Sequence, residues 1–151
     1  METIIKHFSE LDTSELYEIL KLRTSVFVVE QSCPYQELDG LDKNAHHLWF
    51  EDDSGIAAYL RILPPGVRFV EPALGRIISV QRRSGLGSRL VQASIAAVQE
   101  LYGETGITIE AQAYAKAFYE RNGFVQISDE FDEDGIPHIL MRWSKQGDFL
   151  A

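Results

Sequence analysis

Apolar residues recur at helical spacing over residues 14–30, where Leu16, Ile19, Leu20 and Phe27, with Val26 beside them, alternate with polar positions. That period predicts one helix, and Asp12 with Glu15 three residues later resembles the capping box that would open it. Cys33-Pro34 ends the pattern, and residues 38–45 read as a polar loop. Strand-like runs follow at 47–51, at 56–63 (closed by Pro64-Pro65-Gly66) and at 73–80, where Gly75 permits a bulge. A second helix is predicted over 85–102, with Leu86, Leu90, Ala93, Ala97 and Leu101 as its inner stripe and Gly103 as its C-cap. Residues 107–111 read as a strand and 115–122 as a short helix ended by Gly123. Residues 124–128 and 137–143 read as two strands joined by the acidic turn DEFDEDG. Strands and helices alternate in the second half, which suggests parallel crossovers, while the meander before it suggests antiparallel pairing. The fold class is α/β, a mixed sheet with helices on both faces.

At 151 residues the chain is read as one domain over 1–151, large enough to bury roughly 70% of its unfolded surface. Apolar residues make up 45% and charged residues 25%, which excludes wholesale disorder and fibre. Twenty-three acids against 14 bases leave a net charge of −9. No basic footprint points to nucleic acid, and the same deficit argues against anionic membranes. A cationic substrate suits this field better. The one cysteine, Cys33, rules out an intramolecular disulfide and fits a cytoplasmic location. The N-terminal stretch does not read as a signal peptide, and no run approaches a membrane span.

The chemistry is concentrated in residues 77–90, IISVQRRSGLGSRL. A β-rich run enters a short turn, and two glycines open an amphipathic helix. The first N–H groups of a helix lack intrahelical partners and carry partial positive charge, and glycine lets an anion approach the backbone. The segment lacks the GxxxxGK[ST] of a P-loop, and Leu90 stands where a dinucleotide fingerprint needs its third glycine. What is left is R-x-x-G-x-G, from Arg82 to Gly87.

That pattern resembles motif A of the GNAT acyltransferases, the acetyl-CoA-dependent N-acetyltransferases. About 30 residues later, residues 115–124 (AKAFYERNGF) resemble motif B of the same family. Residues 27–35 (FVVEQSCPY), Leu38-Asp39-Gly40, Asp42, His46-His47-Leu48 and the late Ile136-Pro137-His138-Ile139 resemble the ElaA-type branch. Many relatives carry Asn seven residues before the motif B tyrosine. This chain has Gln112 there, a feature of that branch.

The resemblance implies the GNAT acyl-CoA N-acyltransferase fold and acetyl-CoA as co-substrate, its pyrophosphate held by backbone N–H groups at Arg83, Ser84, Gly85, Leu86, Gly87 and Ser88. Backbone donors at Ile78, Ser79 and Val80 would polarise the thioester carbonyl, and Gln112 would border the cofactor. Tyr119, from motif B, would protonate the leaving thiolate, its reference pKa of about 10 lying close to a thiol's. A lysine-like ammonium has a pKa near ~10.4, so a base is needed to free the amine. Glu30, His47, Glu110 and His138 are candidates, and Glu30 and His47 are favoured because they sit in the branch-specific motifs. Each has a structural alternative: Tyr119 packing on Phe124, His47 starting a strand, Glu30 ending its helix. No metal is expected, because His46 and His47 would face opposite sides of a strand and no HxxxH or CxxC occurs.

The predicted activity is acetyl transfer to a primary amine of a small molecule or peptide, by direct attack in a ternary complex. The alternatives are a catalytically weak CoA-binding module and a longer-chain acyltransferase. Many members of this fold form homodimers, and the sequence leaves that open.

Overall fold

The structure is a computed structural model that describes residues 1–81 and 84–145. Asp12 caps helix α1 (Thr13–Arg23): its Oδ1 accepts the Glu15 amide at 2.7 Å, and Glu15 Oε1 accepts the Asp12 amide at 3.0 Å. The expected single helix over 14–30 does not form. After Arg23 the chain widens into a π-helix over Thr24–Glu30. Thr24, Val26, Val28 and Val29 are β-branched and crowd a preceding α-turn. The Thr24 hydroxyl also donates to the Leu20 carbonyl at 2.9 Å, a back-bond that bends helices.

Eight strands among the described residues form one mixed sheet. They are β1 (Glu2–His7), β2 (His46–Asp52), β3 (Gly55–Leu63), β4 (Ala73–Ser79), β5 (Ile107–Gln112), β6 (Phe124–Gln126), β7 (Phe131–Glu133) and β8 (Ile136–Trp143). Their order is β1-β2-β3-β4-β5-β8-β6, with β7 also on β8. The meander β1 to β4 is antiparallel throughout. β4 and β5, joined by helix α2 (Leu86–Tyr102), form the expected parallel crossover. The second crossover, through helix α3 (Lys116–Arg121), does not place β6 beside β5. β8 inserts between them and pairs antiparallel with both. The acidic run is not all turn: Phe131–Glu133 forms β7, a hairpin with the start of β8.

Alternation along the strands makes two apolar faces. Leu48, Phe50, Ala58, Leu60 and Ile62 face Leu90, Val91, Ile95 and Val98 of α2. Trp49, Tyr59 and Ile78 face Ile19 of α1, with Val26 and Phe27 of the π-turn. Full burial stabilises each such Leu, Ile or Val by about 1.5–3 kcal/mol. Helices therefore cover both faces, and the site lies where the sheet opens between them.

Candidate functional site

The opening follows from register. β4 and β5 pair only at Ala73 with Thr108 and Leu74 with Ile109, and then diverge. The gap between them, roofed by the π-turn and the chain around residues 33–39, is a cleft of about 1250 Å³. Its walls include Glu30, Gln31, Cys33, Tyr35, Ile78, Ser79, Val80, Glu110, Gln112, Tyr119 and His138.

β4 is distorted next to this gap. Tyr59 pairs with Ile78 and Arg61 with Gly75, so Leu60 alone opposes Arg76 and Ile77. This is a β-bulge. Gly75 was expected to permit it, but the left-handed residue is Arg76, with φ +55. Beyond the bulge the Val80 amide donates to the Ala57 carbonyl at 2.9 Å. Val80 is therefore not the free donor expected. Backbone groups alternate between strand edges, which turns the Ser79 amide toward the open side.

The turn into α2 is held by the Gln81 carbonyl, which accepts from Ser79 Oγ at 3.0 Å and Ser84 Oγ at 2.6 Å. Gly85 is the N-cap with φ +77, a conformation that favours glycine; it has no side chain to cap the helix, and the Leu86 amide makes one long bond, to Ser84 Oγ at 3.4 Å. The first turn of α2 thus keeps the donor-rich character an anion site needs. Leu86 is buried in the core, so only its backbone is available there. A Cβ on Gly87 would sit 3.4 Å from the Phe118 ring, which brings α3 against this turn. Ser84, Gly85, Leu86, Gly87 and Ser88 are outside the cleft lining proper. Arg82 and Arg83 lie outside the described residues.

Tyr119 stands on the cleft wall, its ring edge-on to Phe124 at 5.8 Å and to Phe118 at 5.0 Å. Burial, and secondarily Tyr114, raises its phenol above the ordinary value. The near-balance with a thiol expected from the reference value therefore does not hold for the buried phenol. Sequence reasoning missed the clamp behind it. Asn122, buried, donates to the Phe118 carbonyl at 2.9 Å and to Ser88 Oγ at 3.2 Å, and accepts from Gln92 at 3.0 Å. The clamp fixes α3, and with it Tyr119, to the first turns of α2. Gln112 Nε2 donates to Gln31 Oε1 at 3.4 Å, tying β5 to the π-turn.

The candidate bases separate. Glu30, Glu110 and His138 line the cleft; His47 does not. The His47 ring is fully buried. Its Nε2–H donates to the Asp42 carbonyl at 3.2 Å, so Nδ1 accepts from the Tyr59 hydroxyl at 2.7 Å. Burial pulls its pKa down to about 4, Arg23 and Arg61 adding to the effect. The expectation of a catalytic His47 is corrected by this placement: both nitrogens are used and the ring has no access to the cleft. Glu110 is ion-paired with Arg68. Its carboxylate, by hydrogen bonding and charge, raises the pKa of Glu133. His138 Nδ1–H donates to the Ile136 carbonyl at 2.7 Å. Cys33 Sγ lies 3.9 Å from the Asp134 carbonyl, a contact between the chain after the π-helix and the β7–β8 turn.

The loop before β2 is not simply polar. Arg23, fully buried, binds Glu37 at 2.8 Å and Asp42 at 2.6 Å. Arg61, also buried, binds Asp39 at 2.7 Å and Asp42 at 3.0 Å. Arg76 binds Glu37 and Asp39. Burial opposes charge on Asp39, but hydrogen bonds from Arg61 and the Leu41 amide hold its pKa at about 2. The available signal was Arg23 itself, a cation on an otherwise apolar helical stripe. Among the described residues no group of three or more His, Cys, Asp or Glu is placed to hold a metal ion, and no helix is long and apolar enough to cross a membrane.

A mixed sheet that parts between two parallel strands, beside a glycine-capped helix, defines the acyl-CoA N-acyltransferase architecture. The chain matches the acetyltransferase (GNAT) domain over residues 15–145 and belongs to that family, as an N-acetyltransferase of the ElaA-type branch. An acyl-CoA N-acyltransferase from Pseudomonas aeruginosa is 42% identical, covering 95% of this chain and 100% of that one, with a TM-score of 0.89. Escherichia coli ElaA is 38% identical over 140 residues, 89% of this chain and 91% of ElaA, and its crystal structure gives a TM-score of 0.88. An aminoglycoside 6′-N-acetyltransferase complexed with coenzyme A shares the fold at 16% identity and a TM-score of 0.67, over 92% of this chain and 95% of that one.

Proposed function

We propose that the chain transfers an acetyl group from acetyl-CoA to a primary amine of a small molecule or peptide, by direct attack in a ternary complex. The observation that carries this reading is the junction of three features: the open edge of β4 after the bulge, the glycine-opened first turn of α2 and the Tyr119 ring on the cleft wall. Residues Ser84, Gly85, Leu86, Gly87 and Ser88, with Arg83, would hold the pyrophosphate through backbone donors. The Ser79 amide, on the open edge beside Ile78, would meet the thioester oxygen, and Val80 and Gln112 would border the chain below it.

The amine nitrogen attacks the thioester carbonyl carbon and gives up a proton; the C–S bond then breaks and the thiolate leaves. With His47 sealed from the cleft, Glu30 is the residue proposed to take the amine proton. It stands exposed at the end of the π-turn and lines the cleft. Tyr119 would return a proton to the thiolate. Burial keeps the phenol protonated, so it presents an O–H donor to the sulfur as the C–S bond breaks and negative charge gathers there. The unit would act in the cytoplasm as one domain, consistent with a single cysteine and a net charge of −9.

The test is thermal shift with acetyl-CoA combined with thiol release across a panel of amines. Acetyl-CoA should raise the melting temperature, and Tyr119→Phe should lower kcat on the order of 10²-fold while leaving that shift intact. No shift at millimolar acetyl-CoA refutes the reading. Thiol release favouring longer acyl-CoA over acetyl-CoA would replace the acetyl group with a longer one.

A further inference from the structure

We propose that Arg76 is a positioning residue that joins the cofactor strand to the acceptor loop, so that filling the open edge of β4 immobilises residues 35–42. The inference rests on the reading of β4 as the acyl-CoA strand and assigns a residue through which that strand acts on the opposite wall.

Three non-glycine residues have positive φ among the described residues: Ser32, Arg76 and Asp134. Ser32 and Asp134 lie outside the strands, whereas Arg76 lies inside β4, at the bulge where neither β3 nor β5 pairs with it. Left-handed backbone at a residue with a Cβ persists where surrounding contacts over-determine it. Those contacts are made by its side chain. The guanidinium binds the Glu37 carboxylate, donates to the Glu37 carbonyl at 2.9 Å and to Asp39 Oδ2 at 3.3 Å, and lies 5.8 Å over the Tyr35 ring. A planar fork that binds two acceptors while stacking on an aromatic ring is a task for arginine and not for lysine.

All of these partners belong to one loop, and Tyr35, Gln36 and Asp39 line the cleft. The far side of the loop is fastened to the core by Arg23 through Glu37 and Asp42 and by Arg61 through Asp39. Among the described residues Arg76 is the one β4 side chain hydrogen-bonded to it. Arg76 also sits in the part of β4 that β5 has left. A strand with one unpaired edge retains motion that a ligand bonding along that edge removes. A group rigidly attached to the strand then loses motion too. The acceptor would meet a loop already ordered by the cofactor.

Hydrogen–deuterium exchange of the full chain, with and without millimolar acetyl-CoA, tests this without a known acceptor. In the unmodified protein acetyl-CoA should slow exchange at residues 77–80 and also, by about tenfold, at 35–42. Arg76→Gly tolerates the left-handed backbone and removes only the fork. It should keep protection at 77–80 and lose it at 35–42, with Arg76→Lys recovering part. A merely structural role would change exchange equally with and without acetyl-CoA. Undiminished loop protection in Arg76→Gly overturns the inference, as does protection of 77–80 alone in the unmodified protein. Protection of neither segment there overturns the acyl-CoA reading itself, and the inference with it.

Discussion

His47 offers a sharp separation between a catalytic and a structural histidine, because the two roles respond oppositely to pH and mutation. Its ring is fully buried, its Nε2–H donates to the Asp42 carbonyl, and Nδ1 accepts from Tyr59. A second proton would need Nδ1 to become a donor toward a hydroxyl that already receives a 3.4 Å bond from Arg23, with Arg61 also near. The pKa is accordingly depressed to about 4, chiefly by burial. A depressed histidine stabilises the fold fully above its unfolded value near ~6.5, and that stabilisation fades as pH falls toward the folded value. Linkage then gives a loss of about 2 kcal/mol between pH 7.5 and 5 from this residue alone. Asp39 and Asp42, both depressed below 3.8, contribute their own loss only at lower pH. His46, which is also depressed, falls in the same window, so the measurement is a difference. Urea unfolding of the unmodified protein and His47→Gln should converge by about 2 kcal/mol as pH drops from 7.5 to 5. At pH 7.5 the folded variant should keep kcat within a few-fold, where loss of a general base costs 10²–10⁴-fold in general. A pH-independent stability gap, or a hundredfold fall in kcat with the fold intact, would refute the structural assignment.

Other substitutions probe separate joints of the molecule. Arg23→Met leaves the buried Glu37 to Arg76 and Asp42 to Arg61, each short of one partner, and should cost about 3 kcal/mol in urea unfolding. Gly85→Ala meets no atom within 4 Å, so its cost is the left-handed backbone alone, about 1–2 kcal/mol, and weaker acetyl-CoA binding by calorimetry should accompany it. Asn122→Ala removes the clamp between α2 and α3 and should destabilise by about 1–3 kcal/mol. Because that clamp also sets Tyr119, steady-state kinetics should show kcat falling more than the acetyl-CoA affinity.

Legibility in the sequence tracked the range over which each feature is determined. The capping box at Asp12 and Glu15 and the glycine that opens α2 are local, and each took the conformation its residue types imply. The π-turn hid because its apolar spacing continues that of α1 while its β-branched residues and the Thr24 back-bond change the backbone beneath. The place of β8 between β5 and β6 was beyond local pattern, since a strand's hydrophobic alternation names its faces and not its neighbours. The loop before β2 shows the same limit for charge. Glu37, Asp39 and Asp42 each read as solvated loop acids. Only the assembled sheet and α1 bring Arg23, Arg61 and Arg76 against them. Three cations and three anions cancel there, so the net charge of −9 belongs to the rest of the molecule. Part of that remainder, Glu30, Glu110, Glu133 and Asp134, faces the cleft. Under the proposed reading a cationic acceptor would meet these carboxylates, Glu110 already paired with Arg68 and Glu133 and Asp134 supplied by the acidic run before β8, rather than the acids of the loop before β2, which Arg23, Arg61 and Arg76 neutralise.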